Sequence, residues 1–157
     1  MGQAADRFRL LSFERSMSGD TVSAYHMEAA IAATHARAAD AASTDWALIL
    51  EFYDRLFAIN PSPVVALNRA VAVGKVCGPG AALAIVEPLA GNRKLRDYYL
   101  LLAVRGHLLL ELGRRGEAAG CFREALERRC SVPERRFLTR KLAECEVVSR
   151  CDRRQPD

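Results

Sequence analysis

The three histidines, the five cysteines and the serines Ser12, Ser62 and Ser131 are the first side chains to weigh for chemistry. His26, His35 and His107 are the only histidines, and none belongs to a partner motif. His35 lies in A-A-I-A-A-T-H-A-R-A, one turn after Ile31, where a packed or hydrogen-bonded imidazole is the simpler role. Cys77, Cys121, Cys130, Cys145 and Cys151 form no C-x-x-C pair, and their number is odd, so free thiols are expected rather than disulfides or a zinc site. Ser12, Ser62 and Ser131 lack a nucleophile-elbow context. The Gly78-Pro79-Gly80 segment has no Lys-Ser/Thr after it and no strand before it, so it is a turn and not a phosphate loop. These residues assemble no catalytic set. We expect neither enzymatic activity, nor a metal, nor a cofactor.

Two polar interruptions stand out instead. Thr44-Asp45-Trp46 places the only tryptophan at a helix start, where its ring can cover neighbouring helices. Asn68 and Arg69 break an apolar run, with Val64-Val65-Ala66-Leu67 before them and Ala70-Val71-Ala72-Val73 after. Polar groups inside such a run need partners if buried. They either knit helices together or line a face that holds a ligand peptide.

The elements that must position these residues are helices. Half of the 157 residues are hydrophobic, with Ala and Leu dominant, and these with Arg and Glu lose little side-chain freedom in a helix. The length suits one domain. No apolar run is long enough for a membrane span and no secretory pattern opens the chain, so a cytoplasmic protein is expected. Thr44 is the expected N-cap of one helix, with Asp45 in its first turn. Ser62-Pro63 opens another, Asn60-Pro61 marks a stop, and Val132-Pro133-Glu134 opens the last. Charge is uneven: residues 1–92 carry 7 Lys/Arg against 9 Asp/Glu, and residues 93–157 carry 16 against 10. The basic half fits a solvated Arg-rich helix face, with an acidic protein or nucleic acid as the functional alternative.

A repeat organises the helices. From Tyr99 the chain reads Y-L-L-L-A-V-R-G-H-L-L-L-E-L-G-R-R-G-E-A-A-G-C-F-R-E-A-L-E-R. Gly106, Gly113, Ala118, Phe122 and Ala125 fall where a tetratricopeptide repeat needs small residues, a turn glycine and one aromatic. Gly106 and Ala118 let two antiparallel helices approach, and Phe122 is expected to fill the gap toward the next helix. A weaker copy has Ala70, Ala82, Val86 and Leu89, with Ala82 and Ala118 36 residues apart against the usual ~34. A third has Tyr53 and Leu56 in the later slots. The expectation is an all-α, tetratricopeptide-like right-handed superhelix of about eight helices in stacked antiparallel pairs. Residues 1–149 form one domain, with repeats near 24–61, 63–96 and 97–132, a capping helix at 133–148, and a polar tail at 150–157.

The order of several segments carries a more specific likeness. These are A-A-I-A-A-T-H-A from Ala29, T-D-W from Thr44, Y-D-R-L from Tyr53 and P-S-P-V-V-A-L-N-R-A-V-A-V from Pro61. G-P-G-A-A-L from Gly78, L-G-R-R-G-E-A from Leu112 and E-R-R-F-L from Glu134 follow in the same order. Across residues 9–146 the chain resembles the C-terminal extension of bacterial extracytoplasmic-function (ECF) RNA polymerase sigma factors. The resemblance implies a regulatory protein-interaction domain, tuning transcription initiation by contact with the sigma core domains, the polymerase or a signalling protein. DNA would be met only through promoter-recognising domains that this sequence lacks, and no membrane contact is implied. The expected partner contacts are Tyr53, Asn68, Arg69, Arg105 and His35. The alternative is a free-standing tetratricopeptide adaptor that binds a peptide of an unrelated partner.

Overall fold

A computed structural model describes residues 24–39 and 42–151, with the side chains of 148–151 outside that description. Ser12, residues 9–23 of the resembling region and residues 152–157 of the expected tail lie outside the described residues. Seven α-helices are described: α1 (Ala24–Arg37), α2 (Trp46–Ile59), α3 (Pro63–Cys77), α4 (Pro79–Val86), α5 (Tyr99–Glu111), α6 (Arg115–Glu127) and α7 (Val132–Cys151). Two short 3-10 turns, Glu87–Gly91 and Arg93–Leu95, join α4 to α5. No strand occurs among the described residues. Each helix packs on the next, and α3 also touches α5 as α5 touches α7, so the first helices of successive pairs lie side by side. This is an all-α helical-repeat fold.

The helix ends follow local chemistry. Ser62 Oγ accepts from the Val65 N–H at 3.1 Å, with Pro63 at the first helical position, where its missing N–H costs nothing. At α2 the cap is Asp45, not Thr44: the Asp45 carboxylate accepts from the Leu48 N–H at 3.0 Å. An ionised oxygen at this position answers both an orphan N–H and the positive end of the helix dipole, so Asp45 outcompetes the neighbouring hydroxyl. After α5, Gly113 takes φ +76°, its N–H reaches Leu110 O at 3.0 Å, and Arg114 N–H reaches Leu109 O at 2.9 Å. That pair of bonds is a Schellman ending, which needs a residue without Cβ at the left-handed position. α4 is short because Pro88 has no N–H to continue the α ladder, and the chain tightens into the 3-10 turn.

Packing repeats with the sequence. Thr34, Ala70 and Gly106, 36 residues apart on α1, α3 and α5, are all buried. A Cβ added at Gly106 would sit 2.9 Å from Phe122 Cε1 and 3.1 Å from Cys121 Cβ. The Phe122 ring therefore fills the space within its own helix pair, over Gly106, rather than only the gap toward the next helix. In the first pair the buried aromatic is Phe52, at 2% exposure, while Tyr53 is half-buried. The neighbouring position wins because it points inward with Ile49 and Leu56, spaced three and four residues along one helix face. Two core clusters result, one from α1, α2 and part of α3, the other from the rest of α3 through α7.

The close approach at Gly106 predicts that Gly106→Ala lowers stability by about 1–3 kcal/mol, because the aromatic ring and the helix axis must both give way. Gly120→Ala, on the exposed side of α6 with nothing near the added carbon, should instead raise it by about 0.5–1 kcal/mol. Thermal unfolding followed by circular dichroism checks both signs.

Candidate functional site

The five expected contacts do not converge on one spot. His35, exposed in the last turn of α1, meets Trp46 edge to face at 5.4 Å between ring centroids. Tyr53 sits half-buried on α2, and burial, then the nearby Glu28 carboxylate, push its phenol above the usual range. Arg69 on α3 donates through Nε to Asp54 Oδ1 on α2 at 2.5 Å. Arg105 on α5 grips Glu87 with Nε at 3.1 Å and a terminal nitrogen at 3.4 Å, and its other nitrogen lies 3.6 Å from the buried Cys121 Sγ. Burial holds the Cys121 thiol above its ordinary pKa despite that guanidinium.

Arg69 and Arg105 are repeat equivalents. They stand 36 residues apart, each immediately before the small residue of its helix, Ala70 or Gly106. Each reaches back to an acid on the second helix of the preceding pair or just past its end, Asp54 and Glu87 respectively. Both pairs are partly exposed, so each contributes only about 0.2–1 kcal/mol.

Asn68 differs. Its carboxamide is half-buried and makes no hydrogen bond among the described residues. Helical spacing aligns it with Val64, Val71 and Lys75, and these four form a stripe of α3 that belongs to neither core. Advancing by 36 residues gives Leu100, Val104, His107 and Glu111 on α5, then Arg136, Arg140, Ala143 and Val147 on α7. None of these twelve residues is fully buried, although Leu100 and Val104 pack partly against the larger core. Because α3, α5 and α7 lie side by side, the stripes form one surface that is mixed apolar and polar. On α5, His107 Nε2 lies 3.2 Å from Glu111 Oε1, while His107 Nδ1 is buried without a hydrogen-bond partner. Sequence reasoning found Asn68 but missed the stripe, although the 36-residue spacing was present to reveal it.

A second constellation lies at the α6–α7 corner, and sequence reasoning missed it too. Tyr99 Oη donates to Glu134 Oε1 at 2.5 Å, Ser131 N–H donates to Glu134 Oε2 at 2.6 Å, and Glu134 N–H reaches back to Ser131 Oγ at 3.4 Å. Ser131 and Glu134 form a capping box, legible as S-V-P-E before the helix. The Tyr99 hydroxyl, followed by the two Ser131 groups, holds the Glu134 carboxyl below its usual pKa. Burial first, and then the bond to Glu134, push Tyr99 up to about 12. Among the described residues no three His, Cys, Asp or Glu side chains come together in a way that could hold a metal ion. Cys77, Cys121, Cys130 and Cys145 are free thiols.

With this geometry in hand, the relatives can be compared. No protein-family model matches the chain. An uncharacterized protein of Rhizobium meliloti (strain 1021) is 42% identical over 133 residues, which is 85% of this chain and 31% of that protein. The chain thus spans about a third of the length of the curated relative it matches. No described helix is long and apolar enough to cross a membrane.

The Tyr99–Glu134 bond gives a signed pH prediction. A depressed carboxylate stabilises the fold above its unfolded pKa of about 4.3, and the contribution is lost as pH falls through the lower folded value. Raised Tyr99 contributes below about pH 10 and loses that contribution as pH rises toward 12. Tyr99→Phe should therefore cost about 1 kcal/mol at neutral pH and flatten the acid loss of stability. Urea unfolding between about pH 3 and 7 reads both effects.

Proposed function

We propose that this chain is a regulatory protein-interaction domain of an ECF-type RNA polymerase sigma factor. It would act in the cytoplasm and tune transcription initiation through contacts with the sigma core domains, the polymerase or a signalling protein. The observation that carries the reading is the segment P-S-P-V-V-A-L-N-R-A-V-A. It folds as α3, places Val65, Leu67, Ala70 and Ala72 in two cores, and leaves Asn68 half-buried and without a hydrogen bond beside Val64 and Val71 on an open stripe. The Asn68 amide is not among the buried polar atoms left without a partner, so water reaches it, and an arriving segment would have to replace that water with hydrogen bonds of its own. A partner laid across α3 and α5 would do so. The match to only 31% of a longer relative also agrees with a domain that works beside others. Helical-repeat folds present extended faces of this kind to peptides and protein segments, and the apolar Val64 and Val71 beside Asn68 suit such a contact.

The test uses a full-length relative that carries promoter-recognising domains, with positions numbered as in this chain. Asn68→Ala combined with Arg69→Ala should abolish promoter activation while lowering stability by less than about 1 kcal/mol, since the lost ion pair is a surface one. Asp54→Ala breaks the same pair but keeps Arg69, and should leave activation in place. Normal activation by the double variant would sink the proposal for this face. Loss in Asp54→Ala alone would assign Arg69 to the packing of α2 on α3.

A further inference from the structure

A concentration of unbalanced charge lies where α5 and α7 begin, away from Asn68 itself on α3. Helices α5 and α7 run parallel, so the segment leading into α5 and the turn leading into α7 meet at one end of the bundle. The Tyr99–Glu134 bond and the 3.5 Å approach of Arg128 to Asp97 join them. Residues 93–98 and 127–136 together hold seven Lys/Arg and three Asp/Glu, a surplus of four that equals the net charge of the whole chain. Arg93, Lys94, Arg96, Arg129, Arg135 and Arg136 are all exposed, and none has a carboxylate partner among the described residues. Two of the three acids are engaged, Asp97 with Arg128 and Glu134 with Tyr99 and Ser131.

This placement opposes local stability. Arg135 and Arg136 sit at the close of the first turn of α7, the end where the helix dipole disfavours cations. Sequences that break a local rule without a compensating contact do so most often where a surface is used. The patch is not purely basic. Val132 is 65% exposed, Phe137 is 40% exposed, and the Arg140 guanidinium stands 5.7 Å over the Phe137 ring. A shallow, open depression of about 670 Å³, lined by residues 127–131 with Glu134 and Arg135, adjoins them.

We propose that this end of the bundle docks an acidic, partly apolar protein segment. Guanidinium groups would meet its carboxylates, and Val132 and Phe137 would cover its apolar side chains. Arginine around an aromatic or aliphatic centre is the composition of protein–protein contact sites. A nucleic-acid backbone would pair with the cations but offers nothing to Val132. The inference goes beyond the reading of the α3 stripe: it shares Arg136 and Arg140 with the continuation of that stripe on α7, but rests equally on Arg93, Arg96, Arg129 and Val132, and stands if the role of Asn68 fails.

The experiment uses the 157-residue chain and fluorescence anisotropy of labelled probes. The probes are a peptide of about sixteen residues alternating Glu pairs with Leu and Phe, oligoglutamate of equal length, and a DNA duplex of about twenty base pairs. The mixed peptide should bind most tightly, and more weakly at about 300 mM than at about 50 mM NaCl. Arg129→Glu, Arg135→Glu and Arg136→Glu together should weaken it at least about tenfold, and Arg93→Glu with Arg96→Glu by a similar factor. Val132→Ser with Phe137→Ser should weaken it several-fold while leaving oligoglutamate unchanged. Circular dichroism controls for folding, and the acidic replacements favour helix N-termini, so they should not unfold α7. Tighter binding of the duplex, equal binding of the two peptides, unchanged affinity in the arginine variants, or no saturable binding of the mixed peptide would each overturn the proposal.

Discussion

Helix α3 is claimed by two cores at once, and the rest of the molecule is arranged around that fact. Val65 and Ala72 belong to the cluster with α1 and α2, while Leu67, Ala70 and Val73 belong to the cluster that runs on to α7. A helix buried on two faces must be small and apolar on both, which is why this segment is almost entirely Val, Ala and Leu. Gly74 shows how tight the joint is: a Cβ there would lie 3.3 Å from both Ala82 Cβ and Leu108 Cδ2. Leu50 of α2 also packs against both clusters, but among the described residues α3 alone gives buried side chains to each. Any contact made on the open stripe of α3 therefore bears on an element seated in both cores.

Much of this architecture was legible because it rests on local rules. Proline and serine marked the start of α3, Asn60-Pro61 marked the end of α2, and Gly106, Ala118 and Phe122 marked the tightest pair. The misread details depend on small differences of geometry or on distant partners. Asp45 and Thr44 are both good capping residues, and only the path of the chain decides between them. Phe52 and Tyr53 are adjacent aromatics whose fates differ by the 100° step of the helix. Arg69 drew notice as a cation in an apolar run, but its acid stands fifteen residues earlier on another helix, where no local spacing exposes it. Seeing that Arg105 stands 36 residues on and makes the equivalent bond turns two isolated cations into one repeated device.

That device changes at the last helix, and the change connects the fold to its surface chemistry. The position equivalent to Arg69 and Arg105 is Lys141 on α7, which binds Glu144 on its own helix at 2.7 Å instead of reaching back to α6. The bridge between α6 and α7 runs with opposite polarity, from Arg123 to Glu146 at 2.9 Å. The small residue of the repeat is also gone, replaced by Leu142, and Leu138 and Cys145 seal the end of the core. Among the described residues α7 packs only on α5 and α6, so its outer residues are released from the constraint that keeps α3 and α5 apolar. Here that freedom is filled with arginine, valine and phenylalanine rather than with the mixed charges of a plain solvated cap. Balanced charge would serve solubility equally well and would suit the helix dipole better, so the arginine-rich composition is accounted for by contact with something acidic more readily than by folding.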